Sequence, residues 1–234
     1  MTPEQLYEAG RLDEAIEGLN GRLRESPMDS RSRTFLFELL CFTGDYDRAE
    51  KHLSILADEN PDAKLGGFMY RTAIHASRER VEMFDTRAFP ALGEPPESPA
   101  GTANGEAFSV IEDADPRVGS RLEAYAAGQY MWIPFKHIAQ LVIEPPKRLR
   151  DLLWAPARIV TGPELEDLDL GEILLPVVTP LAFRHEDPLV RLGRRTDVVT
   201  ADDGEVWPEG AKVLLVDGEP VPLLDVRELV ITSA

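Results

Sequence analysis

The chain of 234 residues is 43% hydrophobic and 29% charged, the balance of a globular protein with room for one large or two small domains. Its formal charge of −17 argues against nucleic acid as a general partner, because phosphate binding needs clustered cations. A single cysteine, Cys41, excludes an internal disulfide and a multi-cysteine metal site.

No apolar run approaches the roughly 20 residues that span a bilayer. The opening "MTPEQLYEAGRLDEA" has neither the basic start nor the apolar middle of a signal peptide. A cytoplasmic protein without membrane contact is therefore expected. The charge is uneven. Residues 91–129 and 161–234 are net −5 and −10, whereas residues 130–160 are net +3.

The first ninety residues read as helices. "AGRLDEAIEGLNGRLRESPMD" aligns without a gap on "TGDYDRAEKHLSILADENPDA", matching Gly10 with Gly44, Asp13 with Asp47, Ala15 with Ala49, Leu19 with Leu53 and Pro27 with Pro61. Each pair is 34 residues apart, the period of the tetratricopeptide helix–turn–helix repeat. Helices follow near 3–9, 12–25, 30–42 and 46–58. Cys41, in "LFELLCF", reads as a buried structural thiol. A fifth helix, "FMYRTAIHASRERVEMF", would cap the stack with Phe68, Ala73 and Ile74 inward and Arg71, Arg78 and Arg80 in solvent. So short a stack needs a neighbouring domain to cover its open end.

"PALGEPPESPAGTANGEA", residues 90–107, is rich in proline, glycine and small polar residues and reads as a linker or long loop. It divides a helical domain (1–89) from a second domain (108–234). There "RLEAYAAGQYMWIPF" predicts two strands around Gly128, while "FKHIAQLVIE" and "PPKRLRDLLW" read as helical turns. "ARIVT", "EILLPVV", "TDVVT" and "AKVLLVDGEPVPLL" add strands, the last with an Asp217-Gly218 hairpin turn, and "LDVRELVIT" closes with a turn and a strand. The expected fold class is α+β: tetratricopeptide-like helical repeats followed by a β-rich mixed C-terminal domain.

Chemistry is thinly signalled. Of four histidines, only His185 in "RHEDP" has acidic neighbours, and adjacent residues on an extended chain point apart. No nucleophile elbow or phosphate-cradling glycine loop is present. "DLDLGE" brings Asp167, Asp169 and Glu172 close in sequence, which keeps open a hydrolase acting through carboxylates. "VRLGRRTD", with Arg191, Arg194, Arg195 and Asp197, reads either as a site for an acidic partner or as a loop whose arginines pair with the domain's own carboxylates. The tryptophan-rich run over 130–159, with Trp132, Phe135 and Trp154, reads first as core and second as an interface.

"YMWIPFKHIAQLVIEPPKRLRDLLWAPARI", "GEILLPVVTP" and "VRLGRRTD" together resemble the C-terminal signature of the ImpE family, also called TagJ or SciE-type proteins. The resemblance extends to the N-terminal "EAGRLDEAI". One departure is Val198, where the family tends to carry an aromatic. The resemblance implies a cytoplasmic, non-enzymatic adaptor of bacterial type VI secretion systems, without cofactor or metal. Its partners would be the N-terminal amphipathic helix of a TssB-type sheath subunit and the ClpV-type AAA+ ATPase that dismantles the sheath. Two grooves suit such a helix. One is the inner face of the repeats, with Arg33, Phe37 and Leu40, which has the stronger precedent; the other is a cleft built by the tryptophan-rich run. A general interaction scaffold is a third reading.

Overall fold

A computed structural model describes residues 1–59, 61–90, 96–162, 169–201 and 204–232, and the side chains of all these except 59, 61–65, 169 and 170. Five helices come first: α1 (Pro3–Glu8), α2 (Leu12–Glu25), α3 (Ser30–Phe42), α4 (Tyr46–Glu59) and α5 (Pro61–Thr86). Each packs against the next. Thr2 caps α1 reciprocally with Gln5, and Asp29 caps α3 by accepting from Ser32 N at 3.0 Å. The 34-residue offset holds at the level of single hydrogen bonds. Arg11 N donates to Leu6 O at 2.8 Å, and Asp45 N donates to Leu40 O at 3.0 Å, so the α1–α2 and α3–α4 turns are built alike. Gly10 and Gly44 hold those turns at φ +76° and +68°, a conformation that side chains resist. The matched Ala15, Ala49, Leu19 and Leu53 are all buried.

Thirteen named strands follow, in three sheets. The largest has the order β2-β1-β13-β6-β7-β8-β4-β5 and is antiparallel throughout. Its members are β1 (Gly101–Ala103), β2 (Glu106–Phe108), β4 (Arg121–Ala126), β5 (Gln129–Pro134), β6 (Ile138–Ile143), β7 (Trp154–Thr161), β8 (Asp169–Pro176) and β13 (Glu228–Ile231). A second sheet joins β3 (Ile111–Asp113), β11 (Val213–Val216) and β12 (Glu219–Pro222); β9 (Thr196–Thr200) and β10 (Val206–Gly210) form a separate ribbon. The one-turn helix α6 (Pro188–Arg191) precedes β9.

Alternation along β4 assigns its two faces. Leu122, Ala124 and Ala126 enter one core, shared with Ile111 and Leu214 of the second sheet. Tyr125 points the other way into the core of the helices, where Trp154 also lies. The large sheet is thus sandwiched between the small sheet and the helical stack.

Three expectations change. Residues 138–143 form a strand, not a helical turn. A register shift between Ile138 and Gln140 places the buried Ile138, Leu141 and Ile143 at spacings that imitate a helix. The segment expected to be a linker contains the β1–β2 hairpin, turning at Asn104 and Gly105; residues 91–95 of it lie outside the described residues. On α5, Phe68 is 65% exposed, whereas Arg80 is only 5% exposed.

Arg80 is buried because four charges meet there. Its guanidinium forks onto Glu123 of β4 at 2.7 and 2.9 Å and donates to Val178 O at 2.8 Å. Lys212 contacts Glu123 and reaches Asp113 of β3 at 2.5 Å. All four side chains are buried, and their formal charges cancel. Burial pushes Glu123 up, but Arg80 and Lys212 outweigh it and hold its carboxyl well below the usual range. Burial lifts Asp113 to about 6 against the pull of Lys212. The Tyr130 hydroxyl donates to Glu123 at 2.5 Å and itself accepts from Trp132 Nε1.

The two halves also meet along the loop before β9. Arg191 forks onto Asp13 at 3.1 and 2.5 Å, and Arg194 donates to Glu8 O at 3.0 Å while lying 4.3 Å over the Tyr7 ring. Leu189 and Phe183 press on Gly10 and Gly44, where an added Cβ would come within 2.6 and 2.8 Å of them. Across the interface Glu38 of α3 faces Arg150 at 3.7 Å, and burial lifts its carboxyl to about 7 despite that cation.

Five outcomes are expected. Arg80→Met should cost about 3–5 kcal/mol in urea unfolding by stranding the Glu123 charge. Arg78→Met, which removes the partly exposed pairs with Asp47 and Glu50, should cost under about 1 kcal/mol. Gly44→Ala should destabilise by more than about 1 kcal/mol, because it meets both strain and Phe183. Gly21→Ala, inside α2 with nothing within 4 Å, should stabilise by about 0.5–1 kcal/mol. Because the Glu38 pKa is raised on folding, its ionisation removes stability as pH climbs from its unfolded value near 4.5 through about 7. Glu38→Gln should therefore gain about 1–3 kcal/mol at pH 8, a gain that vanishes by pH 4.5. Denaturant midpoints across that range measure it.

Candidate functional site

The ten residues singled out in the sequence fall in different surroundings. Phe37 and Leu40 are each 1% exposed in the helical core, Phe135 is fully buried against the large sheet, and Trp154 lies among the helices. Arg33 is buried, donating to Pro27 O and lying 3.4 Å from His52 Nδ1. The inner-face group of Arg33, Phe37 and Leu40 therefore presents almost no side chain to a partner. Trp132 stacks on Phe89 with ring centroids 5.7 Å apart and an interplanar angle of 29°. Arg191 and Arg194 are engaged with the helices, so their partners come from the other half of the chain and not only from the carboxylates of their own. Arg195 pairs with Asp187 at 2.9 Å and with Asp197 at 3.3 Å on the surface.

A cleft of about 430 Å³ opens where α5 crosses the large sheet. Its α5 wall is Phe68, Met69, Tyr70, Thr72 and Ala73; its sheet wall includes Tyr125, Trp154, Pro156, Ile173 and Leu174. Phe68 and Met69 are 65% and 44% exposed, which is unusual for adjacent large apolar side chains on one helix. The floor is a ladder of rings. Tyr70 stacks on Trp154 at 6.1 Å and 26°, and the Arg150 guanidinium lies 4.4 Å over the Tyr70 ring. Trp154 is anchored from behind by its Nε1, which donates to Ser77 Oγ at 3.1 Å. Gly128, in the β4–β5 turn, rests against Thr72 and closes one end.

The sequence contained a signal for this site that the core reading hid. Phe68, Met69 and Tyr70 are consecutive, and successive helical residues are turned about 100° apart. Three large apolar side chains in a row cannot all face one core. Burial of Tyr70 against Trp154 necessarily turns Phe68 outward.

Ionisable groups offer the cleft little chemistry. Glu172 is exposed at its rim; Asp167 and the side chain of Asp169 lie outside the described residues. Asp151 is committed to its own turn, accepting from Lys147 N at 2.8 Å and Arg148 N at 2.9 Å. The strongly shifted Glu123 and Asp113 do not line the cleft. Burial pushes the Cys41 thiol well up, which leaves it protonated. His185 Nδ1 accepts from Asp187 N at 3.0 Å, a turn contact, and among the described residues no three His, Cys, Asp or Glu side chains are grouped to hold a metal. The cleft is lined chiefly by aromatic and aliphatic side chains.

Comparison with known proteins places this geometry. The chain superposes with a TM-score of 0.87 on the crystal structure of protein VPA1032 from Vibrio parahaemolyticus, covering 99% of this chain and 98% of that one at 24% identity, which establishes a shared fold. It is 32% identical over 262 residues to the type VI secretion system accessory component TagJ of Pseudomonas aeruginosa PAO1, an alignment spanning 98% of this chain and 90% of the relative. Residues 105–230 match the family model described as ImpE protein, a stretch that includes both the tryptophan-rich run and the arginine loop. With that match and a relative aligned along nearly its whole length, the chain belongs to the ImpE/TagJ family.

Proposed function

We propose that this chain is a non-enzymatic cytoplasmic adaptor of a type VI secretion system, and that the cleft between α5 and the large sheet holds the N-terminal amphipathic helix of a TssB-type sheath subunit. The observation that carries the reading is the pair of exposed apolar residues, Phe68 and Met69, beside a ring-lined cleft in a relative of TagJ. An amphipathic helix presents apolar side chains at i, i+3/i+4 and i+7 on one face, and a cleft of about 430 Å³ suits a few such side chains. On this reading the two N-terminal helix pairs are tetratricopeptide-like repeats serving as a frame, since the inner face that includes Phe37 and Leu40 is closed by its own packing. The frame sets the position of α5, and the C-terminal half supplies the opposite wall. Holding the sheath subunit, the adaptor would present it to the ClpV-type AAA+ ATPase.

Calorimetric titration with a peptide of the sheath subunit's N-terminal helix tests the assignment. Saturable binding is expected, weakened at least about tenfold by Phe68→Asp or Met69→Asp with little change in unfolding midpoint, because both side chains already face water. No heat of binding at hundreds of micromolar peptide would refute it.

A further inference from the structure

The cleft is apolar along most of its length, with Glu172 at its rim and basic residues gathered near one corner. The short turn Leu149–Leu152 stands there, with Lys147 and Arg148 just before it. Asp151, the carboxylate nearest in sequence, spends its acceptors on the backbone N–H groups of those two residues. It orients the corner more than it neutralises a neighbouring side chain. Lys147 has an exposed pairing with Glu144 at 3.0 Å. Arg150 lies over Tyr70, its Nε is buried without a hydrogen-bond partner, and its nearest carboxylate, Glu38, is 3.7 Å away. The Arg148 side chain is exposed and forms no ion pair among the described residues, although it lies near enough to Tyr70 and Glu38 to act on both electrostatically; its backbone N–H is held by Asp151, which lines the cleft. In a chain of net charge −17, an exposed arginine beside an apolar cleft, with no ion pair among the described residues, is out of keeping with its surroundings.

We propose that the segment received by this cleft is an amphipathic helix with an acidic flank, one of whose carboxylates pairs with Arg148 while its apolar stripe lies between Phe68 and Leu174. This rests on the adaptor reading of the cleft and adds the charge of its occupant. Charge complementarity carries it. Most of the remaining surface repels an acidic helix, so this corner fixes both where such a helix lands and which way it runs. A helix bearing lysines on the same flank would be drawn to the acidic surface at large and turned away at Arg148. The pairing contributes more to orientation and encounter than to total affinity, because the corner is solvated.

The experiment uses the full chain and two designed, fluorescein-labelled helical peptides of about 16 residues with the same apolar stripe, one flanked by glutamates and one by lysines. Fluorescence anisotropy at low salt should show the glutamate peptide binding at least about tenfold more tightly, with the difference shrinking as salt is raised. Arg148→Glu should reverse the preference, and Arg148→Gln should abolish it, both without moving the unfolding midpoint. Equal affinities, or a preference for the lysine peptide in the unaltered chain, overturn the proposal. The sheath-subunit peptide separates the two readings. If it binds and Arg148→Glu leaves its affinity unchanged, the charge assignment falls and the adaptor stands. If it does not bind while the glutamate peptide does, the sheath assignment falls and the charge assignment stands; binding by none of the three removes both.

Discussion

The fork of Arg80 on Glu123 is the contact on which the arrangement of the layers depends. Arg80 belongs to α5, Glu123 to the large sheet and Asp113 to the small one, and Lys212 stands between the two acids. Each layer contributes charge that it could not bury alone. Removing an ion from water costs several kcal/mol, recovered only when partners and hydrogen bonds sit in good geometry. Such a network adds little net stability over an apolar core, but it makes misplacement expensive. A shift of α5 along the sheet by one helical turn, about 5.4 Å, would strand the Arg80 guanidinium and leave Glu123 and Asp113 with Lys212 alone, one buried negative charge in excess. The network therefore sets register, where the apolar contacts around it would tolerate sliding.

That register creates the cleft. Tyr70 lies ten residues before Arg80, about 15 Å along α5, and with Arg80 pinned the Phe68–Tyr70 segment lies alongside Trp154 and Leu174. Trp154 is held from the same helix, since Ser77, one turn before Arg80, accepts its Nε1–H. The Ser77 hydroxyl in turn bonds Ala73 O at 2.8 Å and lies 3.3 Å from the Tyr125 hydroxyl. One face of α5 thus supplies the pin, the anchor for the floor and one wall. A docking surface for a helix needs this rigidity, because each side chain that must be ordered on binding lowers affinity.

Much of the fold was legible in the sequence, and its failures have physical causes. The 34-residue offset located four helices because Gly10 and Gly44 do the same mechanical work in two turns. The β6 strand was misread because its bulge puts buried residues three apart, the spacing of a helix face. Arg80 was placed in solvent because nothing local distinguishes it from Arg78; its partners are 43 residues away at Glu123 in β4 and farther still at the Val178 carbonyl. The tryptophan-rich run read first as core, and Phe135 and Trp154 are buried; Trp154 also lines the cleft through a stack begun by Tyr70 on another element. The Phe68–Tyr70 run signals one wall of the cleft, but nothing within that segment announces the other, which comes from the opposite half of the chain.

The arginines show how an acidic chain divides its few cations. Arg80, Arg191 and Arg194 join the halves, and each does so where an acceptor is already fixed: a buried carboxylate, Asp13 in the first turn of α2, or the carbonyl end of α1. A guanidinium suits all three because its planar fork satisfies two acceptors or lies flat on a ring. Arg195 is bracketed by Asp187 and Asp197. Arg148 differs from all of these. Its main-chain N–H is held by Asp151, while its exposed side chain forms no ion pair among the described residues. In a fold where joining cations are matched to acceptors within the chain, the exposed cation at the end of an apolar cleft is best accounted for by an acceptor that arrives with the occupant.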